Sequence, residues 1–258
     1  MDTASVLPPG TILQFLYLRE RLARLTAGRF VEVGTGAGEL SALLLGAGWT
    51  GVGYEPGPGI ERARARNAGP ISDGRYAVHD ADWLTAPADE PADLVISSMV
   101  VEHLPDAQES AYFARARATL APGGRAALFV PASPRHWGIE DDVAGHQRRY
   151  TRAGMERRLG DLGWRLDHAA GLTFPLSNLL LPVSNRLVAR AERDRLGMTE
   201  LERTLHSGNR EVEGKTTFPA AARVVLNERV LYPLHLVQKA CRRTDRALVL
   251  YAEAVPAG

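Results

Sequence analysis

Three glycines at alternate positions follow a short apolar run near the start of the chain. Gly34, Gly36 and Gly38 form a G-x-G-x-G turn just after Glu32. A glycine-rich turn between a strand and a helix lets a ligand approach the backbone, and the helix start offers free N–H groups. A dinucleotide fingerprint needs its third glycine where Glu39 stands. Because Glu32 is poorly placed for a pyrophosphate, we expect a ligand with a cationic group, such as an ammonium.

A second apolar run ends in a carboxylate. Glu55 closes the run Gly51–Glu55 and lies roughly 20 residues after Gly34, a separation at which an acid accepts hydrogen bonds from ribose hydroxyls. Because NAD-binding proteins share this feature, it indicates a nucleoside without choosing the cofactor. The alternative is an exposed glutamate at a strand end.

Two histidines in the middle of the chain are candidates for moving a proton. His103 follows the apolar run Asp93–Ser98, and His146 lies in the segment Gly145–Thr151. Histidine titrates near neutral pH, so both are candidate catalytic residues. The alternative for the first is that Glu102 and His103 only fix a loop.

The segment GHQRRYT at Gly145–Thr151 adds two guanidinium groups and a phenol. Tyr150 is a third candidate for proton transfer, and Arg148 and Arg149 are candidates for binding an anionic substrate. The alternative is a solvated loop whose arginines pair with the acids Asp141 and Asp142.

Metal-ligand spacing is not evident in the sequence. Cys241 is the only cysteine. The set His136, Asp142 and His146 has no spacing typical of zinc sites, so we expect no metal.

Short apolar runs alternate with amphipathic stretches from residue 29 to residue 131, as in a βαβ sheet. Asp106 and Glu109 have the spacing of a capping box, and Thr151 can cap a further helix. The predicted strands are Phe30–Val33, Gly51–Glu55, Arg75–Val78, Asp93–Ser98, Arg125–Val130, Trp164–Ala170 and Ala247–Glu253.

Taken in order, these motifs resemble those of class I S-adenosylmethionine (SAM)-dependent methyltransferases. The matching strings are VEVGTGAGEL, VHDADWL, ADLVISSMVVEHL and LAPGGRAALFVP, with Glu55 after the first, and GHQRRYT is similar to a segment of a bacterial small-molecule subgroup. The resemblance covers about Gly28 to Asp167. It implies an α/β, Rossmann-like, seven-stranded, mostly parallel sheet with a reversed last strand. It also implies SAM as cofactor and S-adenosylhomocysteine (SAH) as product.

The resemblance further implies which residues bind the cofactor. Glu55 would hold the ribose, and Ser97 would line the floor near the sulfonium. Asp80 with Ala81 would read the adenine edge, a role for which Asp82 competes. The methionyl part would be surrounded by Glu32, Gly34, Thr35, Gly36 and Gly38.

The first residues, 1–28, are expected to form a helical segment over the cofactor. Arg19 lies in an apolar stripe of this helix, where a charge is usually paired or snorkelling. We expect Arg19 and Tyr17 to face the cofactor instead. The cofactor-binding core would then span residues 29–170, with its final strand in residues 247–258.

Residues 171–246 are predicted to be a helical insertion before the last strand. Basic residues exceed acidic ones between Pro175 and Arg246. The insertion is a lid beside the substrate entrance, a cap that completes the core, or a homodimer contact. We expect apolar patches broken at Pro182 and a helix over Arg223–Arg243. The stripe facing the domain would be Leu226, Val230, Leu234 and Val237.

The leading hypothesis is methylation of a small molecule at oxygen, nitrogen or carbon. The basic insertion favours an anionic or amphipathic acceptor. A formal net charge of +1 gives no general attraction to nucleic acid. No apolar run reaches the roughly 18 residues of a membrane span, and no signal peptide is evident, so we expect a cytoplasmic enzyme. The alternatives are a non-catalytic SAM-binding regulator and an NAD(P) oxidoreductase, which Glu32 disfavours.

Overall fold

The computed structural model describes residues 6–192 and 212–258, and within them it contains seven strands and nine helices. The strands are β1 Arg29–Val33, β2 Thr50–Tyr54, β3 Tyr76–His79, β4 Ala92–Ser98, β5 Leu120–Pro131, β6 Trp164–Leu172 and β7 Val249–Pro256. The helices are α1 Pro9–Leu22, α2 Glu39–Gly46, α3 Ile60–Arg66, α4 Ala68–Ser72, α5 Asp106–Thr119, α6 Ile139–Ala144, α7 Arg152–Asp161, α8 Leu176–Ala191 and α9 Glu228–Ala240. Short 3₁₀ turns occupy Val101–His103, Pro134–His136 and Ala220–Val224.

All seven strands form one sheet in the order β3-β2-β1-β4-β5-β7-β6. The first five run parallel, and β7 lies antiparallel between β5 and β6. The carboxyl ends of β1, β2, β3 and β4 therefore share one edge, with the chain order reversing between β1 and β4. Ligands of open α/β sheets bind at such a switch point. The predicted α/β sheet with a reversed last strand is confirmed.

The sheet is buried on both faces because successive side chains of its strands point to opposite sides. Val31 packs with Phe113 of α5 on one face, in a cluster that also includes residues of α7. Phe30 packs on the other face with Leu18 of α1 and Leu44 of α2. The near-continuous apolar runs of the sequence thus correspond to strands covered by helices on both sides.

Helix α1 is held by the insertion as well as by the sheet. Ile12 and Leu16 share a small apolar cluster with Leu231 of α9. Gln238 of α9 donates a hydrogen bond to the backbone oxygen of Leu13 at 2.8 Å. Residues 193–211 of the insertion lie outside the described residues.

The inward face of α9 matches the predicted stripe only in part, since Leu226 and Leu234 pack against the cluster of Ile12 and Leu16. Val230 and Val237 are 50% and 42% exposed, whereas Leu231, His235 and Gln238 are buried. Two polar side chains can lie inside because both have partners. The Nε2 of His235 contacts Glu20 at 2.8 Å, and Gln238 bonds α1 as above. The fully buried positions of α9 therefore lie one residue after the predicted ones, so the helix is turned about its own axis relative to the predicted orientation.

Three further details differ from the sequence predictions. Pro182 does not break the apolar stretch, because α8 runs through it. Helix α5 has no side-chain cap, and Glu109 instead accepts a hydrogen bond from Arg148. Strand β5 begins at Leu120 because that residue pairs with Ala92 of β4.

Within residues 6–192 and 212–258, no helix has the length and apolar character needed to span a bilayer.

Candidate active site

The glycine-rich loop between β1 and α2 is fixed by hydrogen bonds to the end of β2. The backbone N–H groups of Gly34 and Thr35 both donate to the carbonyl of Tyr54, at 2.9 and 3.1 Å. The N–H of Gly36 donates to the Glu55 carboxylate at 2.7 Å. The loop and the acid after β2 therefore form one unit, although the sequence indicated them as separate motifs.

Two of the glycines are required by their surroundings. Gly34 and Gly38 have φ angles of +74° and +79°, which side-chain-bearing residues rarely adopt. A Cβ atom at Gly34 would lie 2.6 Å from Val100, and one at Gly38 would lie 2.6 Å from Asn67. Asn67 also donates a hydrogen bond to the carbonyl of Gly38 at 3.2 Å. Neither contact was predicted, because Val100 had no assigned role within the string ADLVISSMVVEHL and Asn67 lies outside the matching strings.

Acidic residues gather at the open edge of β2 and β3. Glu55 accepts from the backbone N–H of Gly36 at 2.7 Å and of Gly57 at 2.9 Å. Burial raises the pKa of Glu55, and the nearby charge of Asp80 raises it further. Asp80 is exposed and Ala81 is half-buried, directly after β3. The edge therefore has carboxylates suited to hydroxyl and amino donors of a nucleoside.

Asp82, the competitor of Asp80, holds the following turn. Its carboxylate accepts from the backbone N–H of Leu84 at 2.9 Å, and its carbonyl accepts from Thr85 and Ala86. Because the Asp82 carboxylate is already hydrogen-bonded within the turn, the Asp80 carboxylate is better placed to bind a ligand.

Glu32 and Ser97 lie deeper than the sequence analysis expected. Glu32 is 1% exposed and accepts a hydrogen bond from the Ser41 hydroxyl of α2, beneath the loop. Burial raises the pKa of Glu32 to about 8. Ser97 is fully buried, and its hydroxyl accepts from Tyr112 of α5 at 2.9 Å. Its side chain therefore points into the core between β4 and α5, which does not support contact with a sulfonium.

The structure does not bring Tyr17 and Arg19 to the glycine-rich loop. The Tyr17 hydroxyl lies 2.9 Å from His168 of β6, and its ring packs against Tyr251 of β7. Strand β7 is the third strand from β1, about 14 Å away at the usual spacing. Arg19 is half-exposed and pairs with Glu228 of α9 at 3.2 Å. These partners differ from the expected cofactor contacts and do not support them, although α1 also packs on Phe30 of β1 and Leu44 of α2.

The segment after β5 separates into two networks, and the first is centred on Glu109. This glutamate of α5 is 1% exposed and accepts hydrogen bonds from Arg148, Tyr150 and Arg158. Burial raises the pKa of Tyr150 well above its ordinary value. Arg148 and Tyr150 therefore anchor the segment to α5, and this argues against their expected roles in substrate binding and proton transfer.

The second network is centred on Asp141 of α6, which is fully buried. Its carboxylate accepts from Arg149 at 2.7 Å, from His146 Nδ1 at 2.9 Å and from the backbone N–H of Gly138 at 2.9 Å. Burial alone would raise the pKa of Asp141, but the bonds from His146 and Arg149 lower it overall. Since Arg149 also donates to the carbonyl of Ala132 at 2.9 Å, its guanidinium is structural rather than free for an anion.

His146 reaches from this network to the loop after β4. Its Nε2 lies 3.8 Å from a carboxylate oxygen of Glu102, and its ring centroid lies 4.8 Å from that of His103. The two segments are joined because the backbone N–H of Gln147 donates to the Glu102 carbonyl at 2.9 Å. The structure thus brings together the two candidate catalytic histidines and Glu102.

This histidine cluster, defined as Glu102, His103 and His146, lies beside the glycine-rich loop. Val100, which contacts Gly34, lies two residues before Glu102. A ligand on the loop would therefore have proton-accepting groups close to one end. The sheet order and the loop at its switch point define the class I methyltransferase fold.

The comparison with protein families agrees with that class. Residues 12–169, more than half of the chain, match the family described as "Methyltransferase domain", and the chain belongs to this family. It is also 35% identical over 98 residues to "Uncharacterized methyltransferase YrrT" of Bacillus subtilis (strain 168). The aligned part covers 37% of this chain and 43% of YrrT, so less than half of that relative is spanned.

Solved structures show the same fold at low sequence identity. The glycopeptide N-methyltransferase MtfA, complexed with SAM, has a TM-score of 0.55 at 15% identity, covering 95% of this chain and 87% of MtfA. The pyocyanin biosynthetic protein PhzM has a TM-score of 0.51 at 21% identity, covering 63% of this chain and 52% of PhzM. At such identities the likeness concerns the fold alone.

Proposed function

We propose that this chain is a SAM-dependent methyltransferase that acts on a small-molecule acceptor. The observation that carries the proposal is the close approach of Val100 to Gly34, which brings the glycine-rich loop beside the loop that carries Glu102 and His103. Family membership supports methyl transfer over the NAD(P) oxidoreductase alternative and over a non-catalytic regulator.

The cofactor would lie across the carboxyl ends of β1, β2 and β3. Gly34, Thr35, Gly36 and Gly38 would approach its methionyl part, Glu55 its ribose, and Asp80 with Ala81 its adenine. Glu32 would act from beneath the loop, through the field of its carboxylate, on the ammonium and sulfonium charges. MtfA, which shares the fold, was crystallised with SAM.

The acceptor would lie on the side of the histidine cluster. A sulfonium methyl group is already electrophilic, so the protein mainly has to align the acceptor and remove its proton. His146 donates its Nδ1–H to Asp141, which leaves the Nε2 lone pair free to accept a proton. His103 borders the same space, and oxygen, nitrogen and carbon acceptors all remain compatible with this geometry.

The insertion borders the acceptor side, which supports the lid interpretation. Lys215 donates a hydrogen bond to Glu140 of α6, the helix that also carries Asp141. A Cβ atom at Gly138 would lie 3.7 Å from Asn185 of α8. Reversing the charges of Arg242 and Arg243 tests this interpretation. A higher KM for the acceptor supports the lid, whereas a change only in oligomer size indicates the homodimer contact.

Calorimetric titration tests the proposed function directly. SAM and SAH should bind to the purified protein, whereas NAD should not. Radiolabelled SAM with a panel of phenols, amines and carbon acids should then give methylated product. Binding of NAD without SAM would overturn the proposal, and SAM binding without turnover on any acceptor would favour the regulator.

A further inference from the structure

Glu102 is a buried acid whose carboxylate has no hydrogen-bond donor in the described part of the chain. The side chain is fully buried, and neither carboxylate oxygen accepts a hydrogen bond from residues 6–192 or 212–258. A buried polar group without a partner costs about 1–3 kcal/mol, and more when it is charged. Such a group calls for an explanation, such as an ion that the site is built to hold.

His146, which faces Glu102, presents an electron pair rather than a proton to it. The Asp141 carboxylate accepts the Nδ1–H of His146 at 2.9 Å, so a neutral imidazole turns an Nε2 lone pair towards Glu102. That nitrogen lies 3.8 Å from Glu102 Oε1, too far for a hydrogen bond. The ring of His103 stands at 75° to that of His146 beside them.

We propose that Glu102, His103 and His146 bind a divalent transition-metal ion of the zinc type. One ligand atom from each residue lies within 4.8 Å of the others. Two atoms bound to one tetrahedral zinc ion are about 3.4 Å apart, so rotations of the side chains would have to bring the three ligand atoms closer together. Two imidazoles with one carboxylate suit zinc and its neighbours rather than calcium or magnesium, which prefer oxygen.

The surroundings of the three ligands also resemble those of a metal site. A metal-bound histidine usually donates its other ring N–H to a carboxylate, which fixes its orientation. Asp141 provides that carboxylate and is held in turn by Arg149 and Gly138. Three protein ligands leave an open position for a further ligand.

A metal ion here would activate the acceptor in place of proton transfer to His146, whose Nε2 lone pair would then bind the ion, and this role rests on the proposed function. A hydroxyl that occupies the open position would lose its proton to solvent more easily. Its oxygen lone pair would form the new bond to the methyl carbon. The bond between that carbon and sulfur would break, leaving its electron pair on sulfur as the neutral thioether SAH.

Titration of the chelator-treated protein with ZnCl₂ tests the binding itself. We expect one ion per chain. Glu102→Gln keeps the size of the side chain and should weaken zinc binding by more than the roughly 10–100-fold that loss of a second-shell partner costs. Asp141→Asn should weaken it within that range. His136→Gln is the control, because His136 does not belong to the histidine cluster and should leave zinc affinity unchanged.

Cobalt substitution provides a second measurement that does not depend on activity. Co²⁺ should give visible absorption bands in the parent protein and in His136→Gln, but not in Glu102→Gln. Circular dichroism establishes that each variant is folded. Failure of the parent to bind either ion, or equal zinc affinity in folded Glu102→Gln, overturns the metal site.

The same samples separate this proposal from the proposed function. Unchanged SAM binding in a protein that binds no metal overturns only the metal site. Metal binding at the histidine cluster without any SAM binding supports the metal site and contradicts the methyltransferase proposal.

Discussion

The two sides of the candidate site differ in how the chain builds them. On the cofactor side, backbone groups of the glycine-rich loop bond to Tyr54 and Glu55, within one βαβ unit. On the acceptor side, buried side chains from separate segments converge, with His146 held by Asp141 and facing Glu102. A backbone-built site depends on glycine geometry, whereas a side-chain-built site depends on charge pairing. Substitutions on the cofactor side should therefore impair mainly SAM binding, whereas substitutions on the acceptor side should impair mainly turnover.

The largest effect is expected on the acceptor side. His146→Ala removes the group proposed to act on the acceptor, so kcat should fall roughly 100- to 10,000-fold, the usual contribution of a proton-transfer residue. The Kd for SAM should change little, because the residue lies beyond the loop. Turnover assays and calorimetry measure the two quantities, with His136→Ala as control. If SAM affinity fell by as large a factor as kcat, the proposed difference between the cofactor side and the acceptor side would be contradicted.

On the cofactor side, Gly38→Val should damage both the loop and the fold. A side chain at a positive φ costs about 1–2 kcal/mol, and overpacking against Asn67 adds about 1–3 kcal/mol. We expect a lower free energy of unfolding and loss of SAM binding, measured by urea denaturation and calorimetry. The control is Gly46→Ala on α2, where a Cβ atom would meet no neighbour within 4 Å. Retained SAM affinity in Gly38→Val would contradict a loop built by its backbone.

Glu55→Ala should have a smaller effect that is confined to the cofactor. Losing a charged acceptor for ribose hydroxyls costs about 1.5–3 kcal/mol per bond, so SAM affinity should fall by about 10- to 100-fold. Part of this loss would come from the loop, since Glu55 also holds the N–H of Gly36. Glu61→Ala, on the exposed side of α3, is the matched control. Unchanged SAM affinity would remove Glu55 from the site.

Smaller still is the expected pH dependence of SAM binding. Glu32 is buried with a pKa of about 8 in the free protein, so it is protonated near neutral pH. A cationic ligand favours its carboxylate, so binding should release a proton. Between about pH 6 and 7.5, below the titration of an α-amino group, affinity should rise by up to about tenfold per pH unit. Calorimetry at several pH values should show this rise in the parent and a flatter profile in Glu32→Gln.

The smallest effect is expected from Arg19→Ala. This residue was predicted to face the cofactor, but it pairs with Glu228 in solvent. Exposed ion pairs contribute about 0–1 kcal/mol, so stability should hardly change and the Kd for SAM should stay the same. A clear loss of SAM affinity would restore Arg19 to the cofactor side.

The sequence predicted the sheet well because its strands are local apolar runs bounded by glycine and proline. The loop motif and Glu55 were also evident, since they occupy fixed positions within one βαβ unit. The roles of Arg148, Arg149 and Tyr150 were not evident. Their partners Glu109 and Asp141 lie on other helices, and only the tertiary fold decides which arginine meets which acid.

The convergence of His103 and His146 at Glu102 could not be predicted for the same reason. The sequence offered His136 and Asp142 as companions of His146, because they are near in the chain. The structure instead joins His146 to the loop after β4 through Gln147. Polar residues inside α9 were missed similarly, since Gln238 is buried only because Leu13 supplies an acceptor from α1.

The position of β7 between β5 and β6 has a consequence for how the chain folds during synthesis. Strands β5 and β6 each pair with β7 and not with each other. Until residues 249–256 leave the ribosome, β6 therefore has no neighbour in the sheet, and one edge of β5 stays open. The parallel half around the glycine-rich loop can assemble earlier, since its strands pair among themselves. Pairings between distant residues form slowly, so closure of the sheet should be the late step, with open strand edges exposed to other chains until then.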